Sequence, residues 1–138
     1  MSANWDQRYM DLALHVATWS KDPSTKVGAV IVNLENRIVS VGYNGFPKGV
    51  EDTEERYNDK VLKYMFVSHA ERNALDNAPV SLAWCTVYST LFPCNECCKS
   101  MIARGITKIV TVSPVHGNHN PAVTQLMCKE SGVVIQII

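Results

Sequence analysis

The 138-residue sequence lacks several features that mark large classes of proteins. Lysine and arginine are spread along the chain without clusters, whereas nucleic-acid binders usually carry a basic stripe. No apolar run approaches the roughly 18 residues of a membrane-spanning helix, and the first residues show no signal-peptide pattern. We therefore expect a cytoplasmic protein with no membrane and no nucleic acid among its partners, acting on a small molecule.

The cysteine count and the charge narrow the class further. The sequence has five cysteines, an odd number, and a formal net charge of zero. Such a count in a reducing compartment argues against a disulfide framework. Cys85 and Cys128 have apolar neighbours, so we expect both to be small core residues. Cys98 directly follows Cys97, so its side chain is expected to point away from the candidate metal site described below. The length fits one domain over residues 1–138.

Apolar spacing and turn residues predict alternating helices and strands. The predicted helices cover residues 5–20, 68–77, 93–104 and 121–132, and the predicted strands cover residues 27–32, 37–43, 85–90, 107–112 and 133–137. The segment from residue 44 to about residue 67 is predicted to be a long irregular loop, which favours a ligand-binding role. This order predicts an α/β fold, with one mixed five-stranded sheet, helices on both faces and the last two strands parallel.

The clearest chemical pattern is one histidine followed by two cysteines. His69-Ala70-Glu71 precedes Pro93-Cys94-Asn95-Glu96-Cys97 by about 25 residues. Zinc takes nitrogen and sulfur ligands in tetrahedral geometry, and three protein ligands leave a fourth position for water. His69 and Cys94 fall at predicted helix starts, where unpaired N–H groups favour thiolates. The pattern predicts a catalytic zinc site with His69, Cys94 and Cys97 as metal ligands.

Glu71 is the candidate catalytic acid and base. It lies two residues after His69, close enough to exchange protons with water at the metal. The residues therefore indicate an enzyme that adds water to an electrophilic carbon. Two alternatives remain: Ser68 and Glu71 also match a capping box, in which Glu71 has no chemistry, and a closed structural zinc site would take a remote fourth ligand from Cys98, Cys128, His116 or His119.

Further motifs accompany the metal pattern. They are Asp22-Pro23-Ser24-Thr25-Lys26-Val27-Gly28-Ala29, Gly42-Tyr43-Asn44-Gly45-Phe46-Pro47, His69-Ala70-Glu71-Arg72-Asn73-Ala74 and Leu91-Phe92-Pro93-Cys94-Asn95-Glu96-Cys97. With them, nearly the whole chain resembles the zinc-dependent cytidine and deoxycytidylate deaminases, in particular the deoxycytidylate (dCMP) branch. The resemblance implies a three-layer α/β/α cytidine-deaminase-like fold. It also implies hydrolysis of dCMP to dUMP and ammonia, which supplies dUMP for dTMP synthesis.

The resemblance also implies the binding residues and the assembly. Asn44 is expected at the deoxyribose, and the candidates for the phosphate are Ser24, Lys26 and His116. A second, regulatory nucleotide site is expected, where dCTP activates and dTTP inhibits together with Mg²⁺; its candidates are Asn44, Gly45, Lys48 and Glu51. The family is typically hexameric, which implies a homohexamer. Residues 113–119 depart from the tyrosine-containing segment of many relatives.

The residues leave other functions open. Within enzymes, the alternative is a deaminase of another cytosine or guanine compound, or of the wobble adenosine of tRNA; the neutral charge weighs against tRNA. Outside enzymes, a zinc-stabilised module could bind nucleotides without turnover. Substrate assays for released ammonia separate these alternatives.

Overall fold

The computed structural model describes residues 2–115 and 120–138, which form helices around one sheet. The helices are α1 (Ser2–Ala17), α2 (Glu54–Asn58), α3 (Lys60–Phe66), α4 (Ala70–Asn77), α5 (Asn95–Ala103) and α6 (Pro121–Ser131). The strands are β1 (Gly28–Val32), β2 (Ile38–Tyr43), β3 (Thr86–Ser89), β4 (Lys108–Thr111) and β5 (Val134–Ile137). None of the helices in these two ranges is long and apolar enough to cross a bilayer.

The five strands lie in the order β2-β1-β3-β4-β5. β1 pairs antiparallel with both β2 and β3, while β3, β4 and β5 run parallel. The short turn after β1 permits a hairpin, whereas α5 and α6 each carry the chain back between parallel strands. The predicted mixed sheet with parallel last strands is confirmed.

Helices cover both faces of the sheet, because the strands alternate their side chains. On one face, Val30 and Tyr88 pack against Tyr9 and Ala13 of α1. On the other face, the buried cluster combines strand residues with α4, α5 and α6; it includes Ala29, Ile31, Val87, Ile109, Ala74, Leu75, Met101 and Cys128. Helix, sheet and helix therefore form the three layers that the resemblance implied.

Two glycines allow helices to lie directly on the hairpin. A Cβ atom at Gly28 would stand 2.0 Å from the carbonyl oxygen of Ala13 in α1, and one at Gly42 would stand 2.4 Å from the backbone nitrogen of Ala74 in α4. Any side chain at either position would push the helix away. The contact at Gly42 sets the distance of α4 from β2, and α4 begins directly after His69.

The prediction of an irregular segment from residue 44 to about residue 67 was wrong, because that segment contains α2 and α3. Thr53 and Asp59 cap these short helices with side-chain oxygens. Phe46 then stacks on Tyr57 and Phe66, with ring centroids 4.4 Å and 5.3 Å apart. Helices this short depend on tertiary packing rather than on propensity, so the apolar pattern of the sequence did not reveal them.

Other boundaries differ by a few residues. The first predicted helix, residues 5–20, is observed three residues earlier, at Ser2–Ala17. Its end is set by i to i−3 hydrogen bonds, from the N–H of Thr18, Trp19 and Ser20. Cys85 and Cys128 are buried as predicted. The Cys98 sulfur lies 3.5 Å from that of Cys128, between α5 and α6.

Candidate active site

The candidate metal ligands meet where two helices begin. His69 is the N-cap residue of α4, and Cys94 is the N-cap residue of α5. Ser68, which precedes His69, exchanges backbone hydrogen bonds of 2.8 Å and 3.1 Å with Gly45. Asn73 of α4 also donates to the carbonyl oxygen of Tyr43 over 2.8 Å. The end of β2 therefore holds the first turn of α4, and with it His69, against the sheet.

The three ligand atoms have the spacing of a tetrahedral metal site. The His69 Nδ1 atom lies 3.4 Å from the Cys94 sulfur and 3.3 Å from the Cys97 sulfur. Zinc bonded to nitrogen at about 2.0 Å and to sulfur at about 2.3 Å would separate such atoms by about 3.6 Å. All three ligand atoms lie within 4.8 Å of one another. The donor set and its geometry therefore fit zinc.

A closed structural zinc site is not what the described residues form. The group of candidate ligands found among them contains three residues and no fourth. Cys98 and Cys128 contact each other instead, both buried between helices. His116 and His119 lie outside the described residues. The three-ligand set matches the catalytic arrangement, in which one position stays open.

The local electrostatics favour a thiolate at the start of α5. Hydrogen bonds to Cys94 from the Cys97 thiol and from His69 lower the pKa of Cys94 well below its usual range. The backbone N–H of Cys97 also donates to the Cys94 sulfur over 3.4 Å. The hydrogen bond to Cys94 in turn raises the pKa of His69. A thiolate at a helix N-terminus beside an imidazole is prepared to bind a cation.

Glu71 lies in the first turn of α4 and is buried, with 5% of its surface exposed. Burial raises the pKa of its carboxyl group, and its own backbone N–H and His69 oppose that change. The alternative capping box of Ser68 and Glu71 does not form, because His69 is the N-cap residue and no side chain caps α4. Glu71 faces the same cavity as His69 and Cys94 instead.

This cavity has a volume of about 680 Å³. Of the predicted binding residues, Ser24 and Asn44 line it, while Lys26 lines a second cavity of about 620 Å³ with Lys21 and Asp52. The regulatory candidates Gly45, Lys48 and Glu51 line neither cavity. His116 lies outside the described residues, so its predicted phosphate contact stays a prediction.

Asn44 ties the cavity wall to the end of β2. Its side-chain oxygen accepts from the backbone N–H of Val27 over 2.8 Å. Its side-chain nitrogen donates to the carbonyl oxygen of Thr25 over 2.8 Å and to Asp22 over 3.3 Å. Both amide hydrogens thus have protein partners, and the carbonyl oxygen keeps one lone pair for a ligand.

The sequence analysis missed an ion pair in this wall. Lys63 of α3 lies 2.9 Å from Asp22, and their side chains are only 11% and 4% exposed. Burial alone would raise the pKa of Asp22, but hydrogen bonds from Lys63 and from the backbone N–H of Ser24 and Thr25 lower it overall. The sequence analysis placed Lys63 in an irregular loop and did not identify its role, because its partner Asp22 is 41 residues away.

The metal site predicts different outcomes for two adjacent cysteines. Cys97→Ala removes one of three ligand atoms and should reduce bound zinc to a small fraction of one ion per chain. Cys98→Ala should keep full zinc, because its sulfur faces Cys128. Elemental analysis of both purified variants measures this. Equal zinc in the two variants would contradict the ligand set.

The ion pair predicts a pH-dependent loss of stability. Asp22→Asn leaves the Lys63 charge nearly buried without a carboxylate, which should lower the free energy of unfolding at pH 7 by about 3 kcal/mol. The pKa of Asp22 is lowered from 3.8 in the folded state, so the stabilisation is present above that pH and disappears as the pH falls further. The gap between wild type and variant should therefore narrow below pH 3.8.

Urea unfolding of both proteins from pH 7 to pH 3 measures this gap. Asp76→Asn is the matched control, because its Arg72 contact is exposed and 4.0 Å long. Exposed pairs contribute about 0–1 kcal/mol, so the control should stay close to wild type. A gap that is constant with pH would refute the electrostatic origin.

The comparisons with known proteins agree with this site. The family model described as the cytidine and deoxycytidylate deaminase zinc-binding region matches residues 3–113. Deoxycytidylate deaminase from Mus musculus is 40% identical, over 96% of this chain and 78% of the mouse protein. The enzyme of that name from Homo sapiens is 39% identical, with the same coverage.

Solved structures share the fold. The dCMP deaminase of cyanophage S-TIM5, in complex with dCMP and dUMP, superposes with a TM-score of 0.80 at 25% identity, covering 100% of this chain and 99% of that chain. A diaminohydroxyphosphoribosylaminopyrimidine deaminase/5-amino-6-(5-phosphoribosylamino)uracil reductase from Thermotoga maritima has a TM-score of 0.72 at 21% identity, covering 99% of this chain and 37% of that chain, which shows the fold alone. The matched region contains the histidine and both cysteines of the metal site, and the chain belongs to the cytidine and deoxycytidylate deaminase family.

Proposed function

We propose that this protein is a zinc-dependent enzyme that hydrolyses dCMP to dUMP and ammonia, and so supplies dUMP for dTMP synthesis. The observation that supports the proposal is a single cavity lined by two of the three candidate metal ligands and by a buried carboxyl group. His69, Cys94 and Glu71 all line it. The proteins named deoxycytidylate deaminase at about 40% identity support dCMP as the substrate.

The residues divide the chemistry between them. His69, Cys94 and Cys97 would hold zinc, and zinc supplies a Lewis acid that makes water a nucleophile near neutral pH. Glu71 is placed to accept a proton from water and to donate protons to the ring nitrogen and the departing amine. Its carboxyl group is held inside the cavity by the first turn of α4.

The cavity size and polarity suit a nucleotide. A volume of about 680 Å³ falls within the usual range for small-molecule sites, about 300–1,000 Å³. Its lining combines apolar surface from Leu91 and Phe92 with polar groups from Ser24 and Asn44. We propose Asn44 at the deoxyribose and Ser24 on the phosphate side. The fold itself does not select a substrate, since the deaminase/reductase from Thermotoga maritima shares it.

The role of Glu71 predicts a severe catalytic defect with intact structure. Glu71→Gln keeps the size of the side chain but cannot take up a proton, so dCMP turnover should fall by about 10²–10⁴-fold. The decrease in cytosine absorbance on mixing with dCMP measures turnover. Zinc content and the unfolding midpoint should stay close to wild type, because Glu71 is not one of the three clustered ligand atoms.

The control for this variant is Glu130→Gln, which changes an exposed carboxylate of α6. Wild-type activity in Glu71→Gln would refute the mechanism. A panel of dCMP, CMP, deoxycytidine, guanine and tRNA, assayed for ammonia, tests the substrate. Turnover of another member in place of dCMP would identify the alternative deaminase, and binding without turnover would favour a nucleotide-binding module.

We also propose regulation by dCTP and dTTP with Mg²⁺ in a homohexamer. The second cavity is lined by Lys26 and by the ion pair of Lys21 with Asp52, whose atoms lie 2.9 Å apart, so it offers Lys26 as a cation for a polyphosphate and Asp52 as a carboxylate for a metal ion. Exposed apolar side chains, which suit subunit contacts, occur on several elements: Val61, Met65, Leu126 and Val134.

This regulation predicts opposite effects of the two triphosphates. With Mg²⁺ present, dCTP should lower the KM for dCMP and dTTP should raise it, while sedimentation should give six times the chain mass of 15.3 kDa. Initial rates at low dCMP concentration measure the effect. If the protein turns over dCMP at rates that neither triphosphate changes, the regulatory proposal is contradicted and the proposed reaction is not.

A further inference from the structure

We propose that Lys60 binds the 5′-phosphate of the nucleotide and so selects nucleotides over nucleosides at this site. The inference rests on the proposed function, because it names the group that reads one end of that substrate. It differs from the expectation drawn from resemblance, in which the candidates for the phosphate were Ser24, Lys26 and His116. Lys26 lines the second cavity and does not line the one that contains Glu71.

One face of α3 forms a wall of the catalytic cavity. Lys60, Lys63 and Tyr64 of α3 line the cavity, and so does Val67, the residue that follows the helix. The three helical residues are spaced i, i+3 and i+4, which places them on a single helical face. Val61 and Met65, which belong to the other side of the helix, do not line the cavity and are exposed. The helix thus presents two lysines to the same space as Glu71.

α3 runs along the cavity, from Lys60 at its start towards the metal ligand His69 beyond its end. The chain passes from Lys60 through Val67 to His69, the metal ligand. At 1.5 Å per residue, Lys60 lies about 10 Å further along the helix axis than Val67. In dCMP the amine-bearing ring carbon and the phosphate are at opposite ends of the molecule. Placing the ring at the ligand cluster therefore sends the phosphate towards the start of α3.

The two lysines differ in whether their positive charge is free to bind a phosphate group. Lys63 is 2.9 Å from Asp22 and nearly buried, so a carboxylate already neutralises it. Asp22 is itself fixed by the backbone N–H groups of Ser24 and Thr25. Lys60 is exposed, and its side chain makes no hydrogen bond or ion pair with any residue in the described parts of the chain. It supplies the unneutralised positive charge of this wall.

The ion pair also explains why Lys60 faces the cavity. Asp22 belongs to the segment between α1 and β1, and its bond to Lys63 joins that segment to α3. Asn44 braces Asp22 from the end of β2. Lys63 is therefore a positioning residue that orients the helix, and Lys60, one turn earlier, is the residue that contacts the ligand. The hydroxyl group of Ser24 lines the same cavity and adds a neutral donor.

The test compares a product with the same molecule lacking its phosphate. Binding of dUMP and of deoxyuridine to the zinc-loaded protein is measured by calorimetry, without any turnover. Lys60→Met keeps the length of the side chain and removes its charge. We expect dUMP to bind on the order of 10- to 100-fold more weakly, the usual effect of losing one charged hydrogen bond, while deoxyuridine binding stays unchanged. The affinity for dUMP should also become less dependent on salt.

Two further variants complete the design. Lys129→Met removes an exposed charge from α6 and should leave both affinities unchanged. Lys26→Met tests the residue expected from resemblance. The proposal is overturned if Lys60→Met weakens both ligands equally, if it weakens neither, or if the loss specific to dUMP appears in Lys26→Met instead. It is also overturned if the wild-type protein does not prefer dUMP to deoxyuridine.

These outcomes are distinct from failure of the proposed function. A protein that prefers dUMP through Lys60 but does not deaminate dCMP would retain the phosphate contact and lose the enzymatic proposal. A protein that deaminates dCMP with unchanged dUMP affinity in Lys60→Met would retain the enzyme and lose the contact.

Discussion

The convergence of two helix N-termini at one edge of the sheet is the constraint on which the rest of the site depends. α4 is held by its close contact with Gly42 and by the backbone pairing of Ser68 with Gly45. Cys94 is the N-cap residue of α5, which is the next helix after β3. Because both helices start at the same place, an imidazole and two sulfurs meet within 4.8 Å. Their partial positive charges favour the thiolates that a metal ion requires.

A second structural unit defines the space in front of that centre. Asp22 links the segment before β1, the end of β2 and α3 through Asn44 and Lys63. The candidate metal site belongs to a fold that solved structures with different names share, whereas α3 contributes Lys60, which we propose binds the phosphate of the substrate. On these proposals, the type of reaction depends on the residues at the two helix starts, and the choice of substrate depends on the wall formed by α3.

Much of this arrangement could be predicted from local patterns. The ligands His69, Cys94 and Cys97 were predicted from spacing and residue type, because zinc accepts few kinds of donor. The mixed sheet followed from strand order and connection length. The alternative in which Ser68 caps α4 does not hold, since the backbone of Ser68 pairs with Gly45 and His69 takes the cap position.

By itself the sequence determined the candidate metal ligands, the mixed sheet with its last two strands parallel and the helices on both faces, because these follow from residue types, spacings and connection lengths that can be read along the chain. Only the tertiary structure decided that residues 54–58 and 60–66 are helical, that Lys63 pairs with Asp22, and that Lys26 lines a different cavity from the one that contains Glu71. Short helices and buried ion pairs are stabilised by partners distant in sequence, so no local pattern specifies them.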